Sequence, residues 1–172
     1  MKTIPLLALL TLVACDAPGP DEKACVRSTL ESDLKRYGPL AGPGVDPATG
    51  QLEAGSYLVS STYLKLTTDP KGQRVFQDSM KGLNAVIPSY PGLAAYLFAT
   101  SDSCVTARTL SVWKDEVSMY RFVGADAHTS AIARIELISR GGSVVTHWAD
   151  TEAGANFEKA AQQLGAEVGP FF

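Results

Sequence analysis

The stretch SYLVSSTYLKLT, residues 56–67, mixes β-branched, aromatic and small polar positions in the pattern of a half-buried strand. Asp69-Pro70 then offers a helix cap followed by a proline at the first helical position. Phe76, Met80, Leu83 and Ile87 follow at helical spacing until Pro88 stops the run. GLAAYLFATS (92–101) and CVTARTLSVW (104–113) return to strand character across the turn-like Asp102-Ser103, which reads as a hairpin. Asp115 caps a second helix through Met119, Phe122 and Val123. After Gly124 it is renewed by Asp126 and continued by Ile132, Ile135 and Ile138. Gly141-Gly142 turns the chain into SVVTHWA (143–149), and a last helix places Phe157, Ala160, Ala161 and Leu164 on one side.

The order from Ser56 to Ala149 is β-α-β-β-α-β. It predicts an α+β fold, a ferredoxin-like antiparallel sheet with both helices on one face. The opposite face would be half apolar, so either a second copy or the terminal helices must cover it. Upstream, Val26, Leu30, Leu34 and Tyr37 predict an N-terminal helix ended by Gly38-Pro39, with a turn-rich connection to residue 55.

Residues 1–14 read as an export signal: one lysine, then an apolar run too short to span a bilayer as a finished helix. Leu12-Val13-Ala14-Cys15 matches the bacterial lipobox, in which the cysteine thiol takes a diacylglycerol. Three segments are therefore expected: a signal peptide (1–14), a lipidated tether with a helix and a Gly/Pro-rich loop (15–55), and a domain with a C-terminal helix (56–172). The acylated Cys15 would anchor the protein in a lipid bilayer, outside the cytoplasm. In a Gram-negative host Asp16 would hold it on the periplasmic face of the inner membrane.

The charge balance of 15 basic and 18 acidic residues is dispersed and gives no footprint for nucleic acid. The sequence carries no HExxH, CxxC, GxxxxGK[ST] or GxSxG. Two histidines with Asp126 or Asp150 have no ligand spacing, so no metal is expected. Cys25 and Cys104 are either bridged, closing a loop of roughly 80 residues worth about 4 kcal/mol in the chain-entropy model, or two separate buried thiols.

The stretch TLSVWKDEVSMYRFVGADAH (109–128) resembles the strand-to-helix signature of antibiotic biosynthesis monooxygenase-like proteins, the dimeric α+β barrel group. The likeness runs from about Tyr57 to Trp148 and includes Tyr90-Pro91-Gly92-Leu93, Leu110-Ser111-Val112-Trp113, the Asp115-Glu116 helix start, Phe122 and His128. It implies a homodimer packed sheet on sheet and, in some members, oxidation of small aromatic molecules without metal or flavin. The haem-degrading branch uses an Asn–Trp–His set. Here the first strand has no asparagine, and Phe122 and Ile132 stand where the tryptophan and histidine would align, which disfavours haem degradation.

His128 shares a helical face with Ile132 and Ile135 and should point inward, as a base or ligand contact, or as a core histidine bonded to a backbone carbonyl. Trp113 offers a flat wall and one donor. Arg108 would be costly to bury alone and calls for an anionic ligand group or a carboxylate. His147 alternates with Val145 and Ala149 while Trp148 faces the other way, and Tyr63 and Tyr96 are further aromatic candidates. No cofactor is implied. The expected function is a membrane-anchored, cofactor-independent monooxygenase-like domain for a small aromatic molecule; the alternative is a ligand-binding or structural lipoprotein.

Overall fold

The computed structural model describes residues 24–169 together with Phe171 and Phe172, so the signal segment and Cys15 lie outside the described residues. The elements are β1 (Lys35–Arg36), β2 (Ser56–Lys65), α1 (Pro70–Val86), β3 (Leu93–Ser101), β4 (Thr106–Trp113), α2 (Glu116–Val123), α3 (Asp126–Ile132), α4 (Ile135–Ile138), β5 (Val144–Thr151) and α5 (Phe157–Ala166). The strands form one antiparallel sheet in the order β1-β3-β4-β2-β5. From β2 to β5 this is the ferredoxin-like βαββαβ arrangement.

Local chemistry sets the element boundaries. Asp69 accepts from the backbone N–H of Gly72 at 2.9 Å and starts α1 with Pro70 at its first position. Asp115 accepts from Ser118 N at 2.7 Å and starts α2. Asp126 is the first residue of α3 and makes no cap bond; Ala125 holds the cap position. The expected second helix is broken twice, at Gly124 and again after Ile132, into three short pieces. The hairpin turn is longer than Asp102-Ser103, and Cys104 and Val105 belong to it, with Val105 at φ +48°. Arg140 donates to the carbonyls of Cys104 and Val105 at 2.9 and 2.8 Å, which ties this turn to the segment before β5.

The N-terminal helix is not formed. Residues 26–34 run as turns, and β1 pairs with Ala99 and Thr100 of β3 as a fifth strand. The reason lies in the bonds this segment makes elsewhere: the carbonyls of Arg27 and Thr29 accept from the guanidinium of Arg108, and that of Cys25 from the Tyr63 hydroxyl. Those acceptors are thereby withdrawn from an intrahelical ladder. Cys25 and Cys104 are bridged, which fixes the start of the segment to the β3–β4 turn.

Cross-strand partners divide the sheet into two faces. One carries Val59, Tyr63, Leu97, Arg108, Leu110, Val112 and Trp148; it packs against Phe157 and Ala160 of α5 and against Leu30, Leu34, Val45 and Leu52. Burial of a large apolar side chain such as Phe157, 0% exposed, contributes about 1.5–3 kcal/mol. The face left for a second copy or for terminal helices is thus covered by the chain's own N-terminal segment and α5. The other face lies beneath α1, α2, α3 and α4. Helices α1 and α4 approach closely at Gly72, where a Cβ would collide with the Leu137 carbonyl.

Candidate active site

Between the second sheet face and its helices lies a cavity of about 310 Å³. Strands β2, β3 and β4 supply its floor through Ser60, Thr62, Tyr96, Phe98, Thr109 and Ser111, positions that the two-residue strand period turns to one side. Helix α1 supplies Phe76, Met80, Leu83 and Ile87, the stripe whose spacing predicts the helix. Trp113, Met119, Phe122 and His128 close one end. Among the described residues that line it, none is Asp, Glu, Lys or Arg.

His128 is placed by α3. Its Nδ1 lies 3.1 Å from the carbonyl oxygen of Val123. A carbonyl only accepts, so Nδ1 carries the proton and Nε2 is left as the unprotonated nitrogen. Burial pushes the imidazole pKa below its ordinary 6.5, and the bond to Val123 opposes this in part. At neutral pH His128 is an uncharged acceptor at the wall of an apolar cavity.

Trp113 is fully buried and donates from Nε1 to Ser111 Oγ at 2.9 Å. Its ring lies 5.2 Å from Phe122, and Phe122 lies 5.1 Å from His128. Tyr90 meets both Trp113 and Phe122 edge-on. The indole therefore belongs to a core cluster with Leu93 and Met119 and also forms part of the cavity wall.

The structure brings His128, Trp113 and Tyr96 together around this cavity and places Arg108, Tyr63 and His147 elsewhere. Arg108 and Tyr63 point to the opposite sheet face. There the guanidinium meets the Glu31 carboxylate at 2.8 Å and stacks 4.6 Å over the Tyr63 ring. Of the two partners sequence reasoning left open for Arg108, the carboxylate is the one present. His147 is exposed on edge strand β5, with the Tyr120 ring 6.2 Å away. Among the described residues no group of three or more His, Cys, Asp or Glu side chains converges as a metal site would require, and no helix is long and apolar enough to cross a membrane.

Ser79 on α1 was not anticipated. It lines the cavity, is 9% exposed, and its Oγ has no hydrogen-bond partner among the described residues. Its signal was available: Ser79 interrupts the apolar stripe three residues after Phe76 and four before Leu83.

No protein-family model matches the sequence, and no curated protein matches it either. Solved structures do. The chain is similar to an antibiotic biosynthesis monooxygenase with 13% identity and a TM-score of 0.47, over 53% of this chain and 95% of that one. It is similar to a dimeric ferredoxin-like protein of unknown function from Jannaschia sp. (16% identity, TM-score 0.47, 55% of this chain and 98% of that one). A conserved protein from Methanosarcina mazei matches at 14% identity and a TM-score of 0.47, over 54% of this chain and 90% of that one. Nearly all of each neighbour thus corresponds to about half of this chain.

Proposed function

We propose that the protein takes a small, uncharged aromatic molecule into the cavity and that His128 withdraws a proton from it, so that the resulting anion reacts with dioxygen without a bound cofactor. The observation that carries this reading is an apolar cavity of about 310 Å³ with no ionic side chain among the described residues of its lining and a neutral imidazole at its wall. Its size falls at the lower end of small-molecule pockets, roughly 300–1,000 Å³. A partly buried base with lowered pKa matches only an acidic C–H or a phenol, because the ion pair it creates has little solvent to stabilise it. For an activated methylene the balance is simple. The carbon loses two hydrogens and gains one oxygen atom of O2 as a carbonyl, while the second oxygen leaves with both hydrogens as water.

The same lowered basicity favours a second reading, in which Nε2 accepts a hydrogen bond from the ligand and no turnover follows. Oxygen uptake with anthrone as the probe, alongside calorimetric titration with 2-naphthol, separates the two. Uptake by the wild type that is lost in His128→Gln supports catalysis. Binding of 2-naphthol with no uptake supports a binding module, and absence of both removes the cavity reading.

We also propose that an acylated Cys15 holds the domain on a membrane, facing away from the cytoplasm. The lipobox supports this. A clickable palmitate analogue should label the wild type and not Cys15→Ser; equal labelling removes the anchor. A homodimer is part of the same proposal. Because α5 and the N-terminal segment occupy the face that sheet-on-sheet packing uses, the second copy has to dock on another surface. Light scattering on the soluble chain lacking residues 1–23 reports whether it does.

A further inference from the structure

Beside the cavity, along α1 and the β3 side of the sheet, runs an open groove of about 800 Å³. Cavity and groove share Phe76, Met80, Asn84, Tyr96 and Phe98 in their linings, so the two adjoin along these side chains. The linings differ in kind. On the helix side Gln73, Gln77 and Asn84 stand at spacings of four and seven, which puts three amides along one face of α1. Gln73 spends its Nε2 on the Thr67 carbonyl at 2.7 Å, which leaves its amide oxygen as an acceptor. On the facing side stand Thr100 and Tyr37, whose ring packs 5.2 Å from Phe98. The Tyr37 oxygen accepts from Thr100 Oγ1 at 3.2 Å and keeps its own proton to donate.

Among the described residues Asp102 is the one charged residue lining the groove, and no Lys or Arg lines it. A phosphate or carboxylate would find no counter-charge there. Amides, hydroxyls, one carboxylate and an exposed aromatic ring, set among apolar side chains, instead match a neutral molecule that carries hydroxyl groups on an apolar C–H frame, with ring faces for its C–H edges and donors and acceptors for its oxygens. We infer that the groove is a second subsite, holding a neutral polyhydroxylated, sugar-like extension of the molecule whose aromatic part fills the cavity. The inference rests on the cavity reading above and adds the substrate class: an aryl glycoside or a similar conjugate.

Calorimetric titration of the full chain with 2-naphthol and with 2-naphthyl β-D-glucoside tests it. Gln77 lines the groove and not the cavity, and it is exposed, so Gln77→Ala should fold normally. The wild type is expected to bind the glucoside about ten-fold more tightly than the naphthol, the worth of one or two additional hydrogen bonds. Gln77→Ala should remove most of that advantage and leave naphthol affinity unchanged. Naphthol binding with no gain for the glucoside, or a gain that Gln77→Ala does not touch, overturns the second subsite and leaves the cavity reading standing. Failure to bind either probe overturns both.

Discussion

Arg108 Nε donates to Glu31 Oε2 at 2.8 Å, with both side chains withdrawn from water to 0% and 1% exposure. Thr106 Oγ1 donates to the second carboxylate oxygen at 2.6 Å, and the remaining guanidinium protons reach the carbonyls of Arg27 and Thr29. One cation thus organises a turn segment that would otherwise have no regular structure. Glu31→Ala should cost about 3–5 kcal/mol, because it leaves the guanidinium buried and uncompensated. Urea unfolding measures it. The pair Glu31→Leu with Arg108→Met should cost much less than the single change, and a double variant as unstable as Glu31→Ala would remove the uncompensated charge as the cause.

The Cys25–Cys104 bridge acts on the same segment, closing a sequence separation of 79 residues. Its removal by Cys25→Ser with Cys104→Ser should cost about 4 kcal/mol in the chain-entropy model. The cavity lies on the opposite sheet face, so 2-naphthol affinity at low temperature, where the variant remains folded, should be unchanged. A loss of affinity matching the loss of stability would show that the two faces do not act independently.

The sheet and α1 were legible in the sequence because each boundary has a local cause: Asp69 and Asp115 cap their helices, and the strand alternation follows from one face meeting helices. The N-terminal helix misled because Leu30 and Leu34 do pack on the core at helical spacing, while the backbone carbonyls of Cys25, Arg27 and Thr29 answer to partners 38 to 81 residues away. Periodicity carries no information about such bonds. At the site, His128 and Trp113 were legible as inward positions on a helix and at a strand end. Arg108 and Tyr63 were not separable from them, because strand parity groups residues into two faces without saying which face meets the cavity. Glu31 could have been found by asking which carboxylate a buried Arg108 requires.

Ser79 carries the next prediction. A buried hydroxyl without a partner costs about 1–3 kcal/mol, and serine in a helix interior is a poorer choice than alanine. Ser79→Ala should therefore raise stability by about 1 kcal/mol, seen as a higher melting temperature. If the hydroxyl serves a ligand, the same change should weaken binding of 6-hydroxy-1-tetralone, which has an acceptor as well as a phenol, more than that of 2-naphthol. A more stable variant with unchanged affinity for both would make Ser79 a packing defect and not a contact.

His128 gives the protein a pH dependence whose sign is fixed by burial. Its folded pKa lies below the ordinary 6.5, so on acidification the unfolded chain takes up the proton first. The stability contributed by the neutral imidazole is full above pH 6.5 and is lost as pH falls from there through the lowered folded value. A second, separate loss follows from Asp33. Hydrogen bonds from the Ser101 side chain and from Ser103 lower its pKa from 3.8 to about 2, so its contribution is present above pH 3.8 and disappears toward pH 2. Urea midpoints measured between pH 8 and pH 2 should fall in two steps. His128→Gln should remove the upper step and keep the lower one, since glutamine does not titrate and Asp33 is held by Ser101 and Ser103 at the β3–β4 turn, away from α3. An upper step that survives in His128→Gln would assign it to a different group. It would also withdraw the support that a neutral, partly buried imidazole lends to the cavity as a site of proton transfer.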